Sequence, residues 1–226
     1  MSLQTAPFDR SLLKDDTEED LVGSDLHQDA IRLLAENLRY IAAQRDAPWH
    51  VSSQLMILMG PISGRPWHPS PDIFVHLTAG PDPLESFDAT SLGVPRFVVE
   101  VASPATWRYD TEGKRRGYEL VGVGEYLVFD PTGDLLGDQV RAWRATAGGF
   151  TPWGADRDGT WRSDALDLAF RPEGVLLRTI DRDGELVPSA SEALRLARAA
   201  ARRADEAARR ADELEAELRK LRGQDD

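Results

Sequence analysis

The chain has 226 residues, 41% of them apolar, which is enough for one core of ordinary domain size. It contains no cysteine, excluding disulfides, thiol catalysis and cysteine-ligated zinc or iron–sulfur clusters. The net charge of -12 divides into -4 over residues 1–20, -8 over 21–190 and 0 over 191–226. The central part therefore lacks the broad basic field of a general nucleic-acid binder, so any contact with DNA or RNA has to be local or assisted by metal ions.

No stretch of 18 apolar residues and no basic, apolar leader occurs, so a soluble cytoplasmic protein without a membrane span is expected. Residues 1–20 are polar and acidic without periodicity and read as a loose arm. From Asp25 the pattern turns helical: Leu26, Ala30, Leu33, Leu34, Leu38 and Ile41 mark an inward stripe over 25–44, with Ser24 or Asp25 as N-cap. His27 falls in the first turn, where two readings stay open: a partly exposed helix-start histidine, or a residue facing a site.

Trp49–Val51 and Leu55–Met59 read as two strands joined by a short turn, and 60–66 as an exposed loop rich in Gly and Pro. Asp72–Leu77 is a further strand, 78–94 a long loop, and Phe97–Ala102 a strand apolar on both faces apart from Glu100. Residues 106–121 are helical, with Thr106 as a cap, and 125–130 is another buried strand. Beyond Pro131, aromatic runs at Val140–Trp143, Phe150–Trp153 and Thr160–Arg162 alternate with Gly- and Asp-rich turns, predicting antiparallel hairpins. Gly174–Ile180 is a last strand. From Ser191 the chain reads as one helix with an alanine- and leucine-rich heptad seam from Ala197 to Leu221, a possible surface for self-association or for recruiting a partner.

The expected organisation is thus an arm over 1–20, a domain over 21–190 with its core at 25–131 and a β-rich extension at 132–190, and a helix over 191–226. Within the core, alternation puts Asp72, Phe74 and His76 on one strand face, and Val98, Glu100 and Ala102 on one face of another. If these strands are antiparallel neighbours, Asp72 and Glu100 meet at one sheet end. Two carboxylates there repel, and burying one unpaired costs several kcal/mol, on the order of 3. A divalent cation removes both penalties, and oxygen donors suit Mg²⁺ or Mn²⁺. Helical spacing places Asp110, Lys114, Tyr118 and Val121 on one stripe, which carries Lys114 toward the sheet. An alternative stays open in which Asp72 caps a turn and Glu100 pairs with Lys114 without metal. Gly113 and Gly117 weaken this helix by about 1 kcal/mol each, which suggests a need for close approach.

Pro71-Asp72, Val98-Val99-Glu100-Val101-Ala102-Ser103-Pro104, Asp110-x-x-x-Lys114-x-x-x-Tyr118 and Gly124–Pro131 together resemble the Uma-type restriction endonucleases, a branch of the PD-(D/E)XK nuclease superfamily. The resemblance covers about 25–131, reaching weakly up to His27–Ile31. It implies an α/β (α+β) restriction-endonuclease-like fold, a mixed central sheet flanked by helices. It also implies Mg²⁺-dependent hydrolysis of phosphodiester bonds, DNA being the expected substrate. Asp72, Glu100 and the Val101 backbone carbonyl would hold the metal and Lys114 would serve catalysis, with His27, Tyr118 and Arg108 as accessory residues. The superfamily's simplest pattern has its lysine two residues after the acid, where this chain has Ala102; Lys114 on the following helix would take that role. Many members add a helix-borne acid, for which Glu19, Asp20 and Glu36 are all candidates. Arg115 and Arg116 fit either phosphate contacts or a solvated helix face. A non-catalytic module on the same scaffold is the rival reading.

Overall fold

Strands covered on both faces need apolar residues at consecutive positions, and the two such runs in this chain lie at the centre of its main sheet. The computed structural model describes residues 24–62 and 64–222. Six strands form the sheet: β1 (His50–Ser52), β4 (Ile73–His76), β6 (Phe97–Val101), β7 (Glu125–Phe129), β8 (Val140–Thr146) and β9 (Gly149–Pro152), in the order β1-β4-β6-β7-β8-β9. Among the described residues of this sheet, only β6 and β7 run parallel. They are joined by a helical crossover, as parallel neighbours require.

Strand parity divides the core. Ile73, Val75, Phe97, Val99, Val101, Leu127 and Phe129 face α1 (Asp25–Gln44) and a second antiparallel sheet of β10 (Trp161–Ser163), β11 (Leu168–Glu173) and β12 (Leu176–Ile180). The opposite parity, Phe74, Val98, Tyr126 and Val128, packs against Tyr118 and a small sheet of β2 (Ile57–Ile62), β3 (Arg65–Trp67) and β5 (Phe87–Asp88).

Four local expectations change. Leu26 is 41% exposed, and the inward position of the first turn of α1 belongs to His27 instead. Ser24 is the N-cap, its hydroxyl accepting from the His27 amide. Segments 49–51 and 55–59 do not pair with each other: β1 joins the main sheet, and β2 pairs antiparallel with β3 across the supposed loop at 60–66. Pro61 is tolerated there because the register shifts between Met59 and Ile62, a bulge-like irregularity. The loop at 78–94 also carries β5 and a one-turn helix, α2 (Ala89–Leu92), capped by Asp88.

The helical crossover is not uniform. A short α3 (Trp107–Tyr109) runs into a π-turn over Asp110–Lys114 and then into α4 (Arg115–Val121). Thr106 holds the N-cap position but makes no side-chain cap bond; its hydroxyl pairs with Ser103 at 2.9 Å. Gly117 is needed for packing, because a Cβ there would lie 2.5 Å from the buried Trp67 ring. The chain divides into two compact units, Met1–Val187 and Pro188–Asp226, the second dominated by α5 (Ala190–Arg222). The expected arm over 1–20 lies outside the described residues. Among the described residues, no helix is long and apolar enough to cross a membrane.

Candidate functional site

The antiparallel register of β4 and β6 pairs Ile73 with Val99. One step further along that register, Asp72 faces Glu100 directly, on the side of the sheet that the crossover covers. Two hydrogen bonds hold the pair in place. The Asp72 amide donates to Glu100 Oε2 at 3.3 Å, and the Val101 amide donates to Asp72 Oδ2 at 2.7 Å. In an extended strand one residue's N–H and C=O point to the same edge, so the Val101 carbonyl is also directed to the Asp72 side.

The crossover brings the base. A π-turn bonds i to i+5, and here the Arg115 amide reaches back to the Asp110 carbonyl. The same carbonyl accepts from the Tyr126 hydroxyl at 2.8 Å, anchoring the wide turn to β7. The turn projects Asp110 and Lys114 inward together. Lys114 Nζ lies 3.2 Å from Glu100 Oε1 and 3.5 Å from Asp110 Oδ1. Tyr118, one turn on and fully buried, donates to Glu100 Oε1 at 3.1 Å.

His27 closes the site from the other helix, with Nε2 3.4 Å from Asp72 Oδ1. Asp72, Glu100, Asp110, Lys114 and His27 are each less than 8% exposed. Among the described residues, the three carboxylates against one ammonium give this buried group a formal charge of -2. Such an excess is costly to enclose and suits a dication, for which carboxylate and carbonyl oxygens are the right donors. Among the described residues no three carboxylate or imidazole side chains already converge as a ready-made metal cage. The oxygen donors that the site presents are Asp72 and Glu100, opposed across a strand pair, and the Val101 carbonyl.

The remaining expected residues separate. Arg108 is exposed, its guanidinium 4.4 Å above the Trp107 ring. Arg115 and Arg116 reach Glu119 at 3.7 and 2.6 Å, a local role on the helix. Burial pushes the Glu119 carboxyl up, but the hydrogen bond from Arg116, the Phe150 amide and both guanidinium charges outweigh it and hold it low. Glu36 is exposed, and Glu19 and Asp20 lie outside the described residues. Two contributors were missed as site residues. Asp110 was signalled by its i,i+4 spacing to Lys114, and Tyr126 by the rule that a buried phenol seeks a hydrogen-bond partner.

No curated protein matches the chain. A solved structure described as a "putative nuclease belonging to DUF820 from Anabaena variabilis ATCC 29413" is similar at 15% sequence identity, covering 77% of each chain, with a TM-score of 0.40. The family model Uma2, "Putative restriction endonuclease", matches residues 18–152, well over half of the sequence and the whole of the site just described, and the chain belongs to that family.

Proposed function

We propose that the protein is a metal-dependent nuclease of the cytoplasm that hydrolyses phosphodiester bonds, with DNA as substrate. The observation that carries this reading is the buried opposition of Asp72 and Glu100 with Lys114 3.2 Å from Glu100. Asp72, Glu100 and the Val101 carbonyl would hold Mg²⁺ or Mn²⁺. When bound, such an ion lowers the pKa of a coordinated water and shields the phosphate from the carboxylates. The chain's own residues do the positioning. The Val101 amide fixes Asp72, Tyr118 fixes one oxygen of Glu100, and the π-turn presents Lys114 at the same carboxylate. The ammonium then serves as a preorganised positive charge for an attacking water or for charge building on the phosphate. Plasmid DNA incubated with Mg²⁺ should be cut by the wild type and left intact by Lys114→Ala; equal cutting by both removes the assignment.

A second reading is favoured by the net charge of -12 and by the long exposed α5: a binding module that keeps the scaffold without the chemistry. Calorimetry with Mn²⁺ separates the two, since only the enzyme requires binding that depends on Asp72 and Glu100. In either reading the seam of α5, with Leu214 and Leu218 exposed, suits pairing with a second copy of the chain. A monomeric mass in solution overturns that pairing.

A further inference from the structure

We propose that His27 is a ligand of the same divalent cation as Asp72, donating through Nε2 beside Asp72 Oδ1 and giving the site a mixed nitrogen–oxygen donor set. This deepens the metal-dependent reading and rests on it.

The argument begins with an unused imidazole. His27 is 5% exposed, yet neither ring nitrogen has a hydrogen-bond partner among the described residues. Buried polar side chains in folded proteins are nearly always partnered, so an unpartnered ring aimed at a carboxylate points to something that binds there. Its position is imposed by the helix start: the Ser24 hydroxyl caps the His27 amide at 3.3 Å, and the ring turns inward where the apolar stripe would have placed Leu26.

The separation fits the proposal. Nε2 and Oδ1 are 3.4 Å apart without the orientation of a hydrogen bond. Adjacent donors on an octahedral ion with bonds of about 2.1 Å stand roughly 3 Å apart, so a small contraction converts this contact into a shared coordination edge. Asp72 is prepared for it, because the Val101 amide already holds Oδ2 and leaves Oδ1 turned to the ring. The charge count agrees as well. A neutral imidazole adds a donor without adding charge to a group whose formal -2 a dication cancels.

The consequence is a change in metal preference. Imidazole nitrogen raises the preference for Co²⁺ and Zn²⁺, and to a lesser degree for Mn²⁺, over Mg²⁺ above that of an all-oxygen site built from Asp72, Glu100 and a carbonyl. His27 would thus tune the site toward transition metals.

The test uses the full chain loaded with one equivalent of Mn²⁺. Pulsed electron paramagnetic resonance should show modulation from a directly coordinated ¹⁴N nucleus in the wild type, converted to the ¹⁵N pattern when the histidines are ¹⁵N-labelled. His27→Gln should lose that modulation, bind Mn²⁺ at least roughly tenfold more weakly, and show a smaller Mn²⁺-over-Mg²⁺ preference. Wild-type Mn²⁺ binding that requires Asp72 but shows no histidine nitrogen overturns the His27 assignment and leaves the metal reading standing. No Mn²⁺ binding at all overturns both. The labelled wild type decides whether a histidine nitrogen is bound, and among the described residues His27 is the histidine placed beside Asp72, so the donor type does not depend on the variant folding.

Discussion

Two buried glutamates sit on adjacent parallel strands, Glu100 near the end of β6 and Glu125 at the start of β7, each 2% exposed. Their surroundings differ in kind. Glu125 receives Arg144 Nε at 3.0 Å, the Ser163 hydroxyl, and the amides of Asp164 and Ala165 at 3.0 and 3.4 Å. Arg144 also reaches Asp164, which is on the surface, so no second carboxylate is buried beside Glu125 by these contacts. Glu100 instead shares Lys114 with Asp110 and faces Asp72 across the strand pair. One carboxylate is saturated by donors and stitches β10 to the main sheet. The other shares the Lys114 ammonium with Asp110 and has a third carboxylate, Asp72, opposite it. Burial alone therefore does not mark a functional acid; a local excess of like charge does.

The comparison breaks most sharply in activity. Glu100→Gln keeps the shape and an acceptor for Tyr118 but removes the charge, and DNA cleavage should fall by roughly 100- to 1000-fold. Folding stability without metal should be unchanged or raised, because a like-charge repulsion is relieved. Glu125→Ala should do the reverse to stability. It strips one charged partner from Arg144 and leaves Ser163 and two amides without their acceptor, a loss of about 3 kcal/mol in urea denaturation. Wherever that variant remains folded, its Mn²⁺ affinity should match the wild type. Equal stability losses in the two variants would erase the distinction between the two glutamates.

Gly117→Ala probes the packing that holds Tyr118, and through it Glu100. The added methyl gains about 1 kcal/mol of helix propensity, but it must displace the Trp67 ring, which is 2% exposed and packs tilted against Tyr118 with ring centroids 5.1 Å apart. Overpacking costs roughly 1–3 kcal/mol, so a net loss of about 1 kcal/mol is expected. A raised melting temperature would show that Trp67 yields freely.

Much of this arrangement was legible in the sequence because it depends on period. Alternation put Asp72 and Glu100 on one face, and the antiparallel register then set them opposite each other. Helical spacing carried Asp110, Lys114 and Tyr118 to one side, although the turn that delivers them is of π type, which no residue pattern announces. Apolar periodicity failed at the start of α1. Leu26 fitted the stripe better than His27 by polarity, and only the tertiary position of Asp72 explains why the imidazole turns inward. The role of Glu125 was equally hidden, since its partners Ser163, Asp164 and Ala165 come from some 40 residues downstream. The hairpin across 60–66 escaped because Gly and Pro signal a break, while a register shift accommodates them.

The smallest expected effect concerns a further buried carboxylate, Asp130, whose donors among the described residues are backbone amides and the Thr132 hydroxyl. Burial pushes its carboxyl up, but the amides of Leu136, Leu135, Thr132 and Gly133 together outweigh that and hold it below its ordinary value of 3.8. The unfolded chain therefore takes up this proton before the folded chain does. Its contribution is complete above about pH 3.8 and is lost as the pH falls through the lower folded-state value. Asp130→Asn has no such proton to take up, so its urea midpoint should decline less steeply with acid than that of the wild type. Glu119, also held low, keeps the remaining slope from vanishing. Parallel curves for the two proteins would mean that the amides around Asp130 do not favour its charged form, and that such donors are not enough to make a buried carboxylate structural.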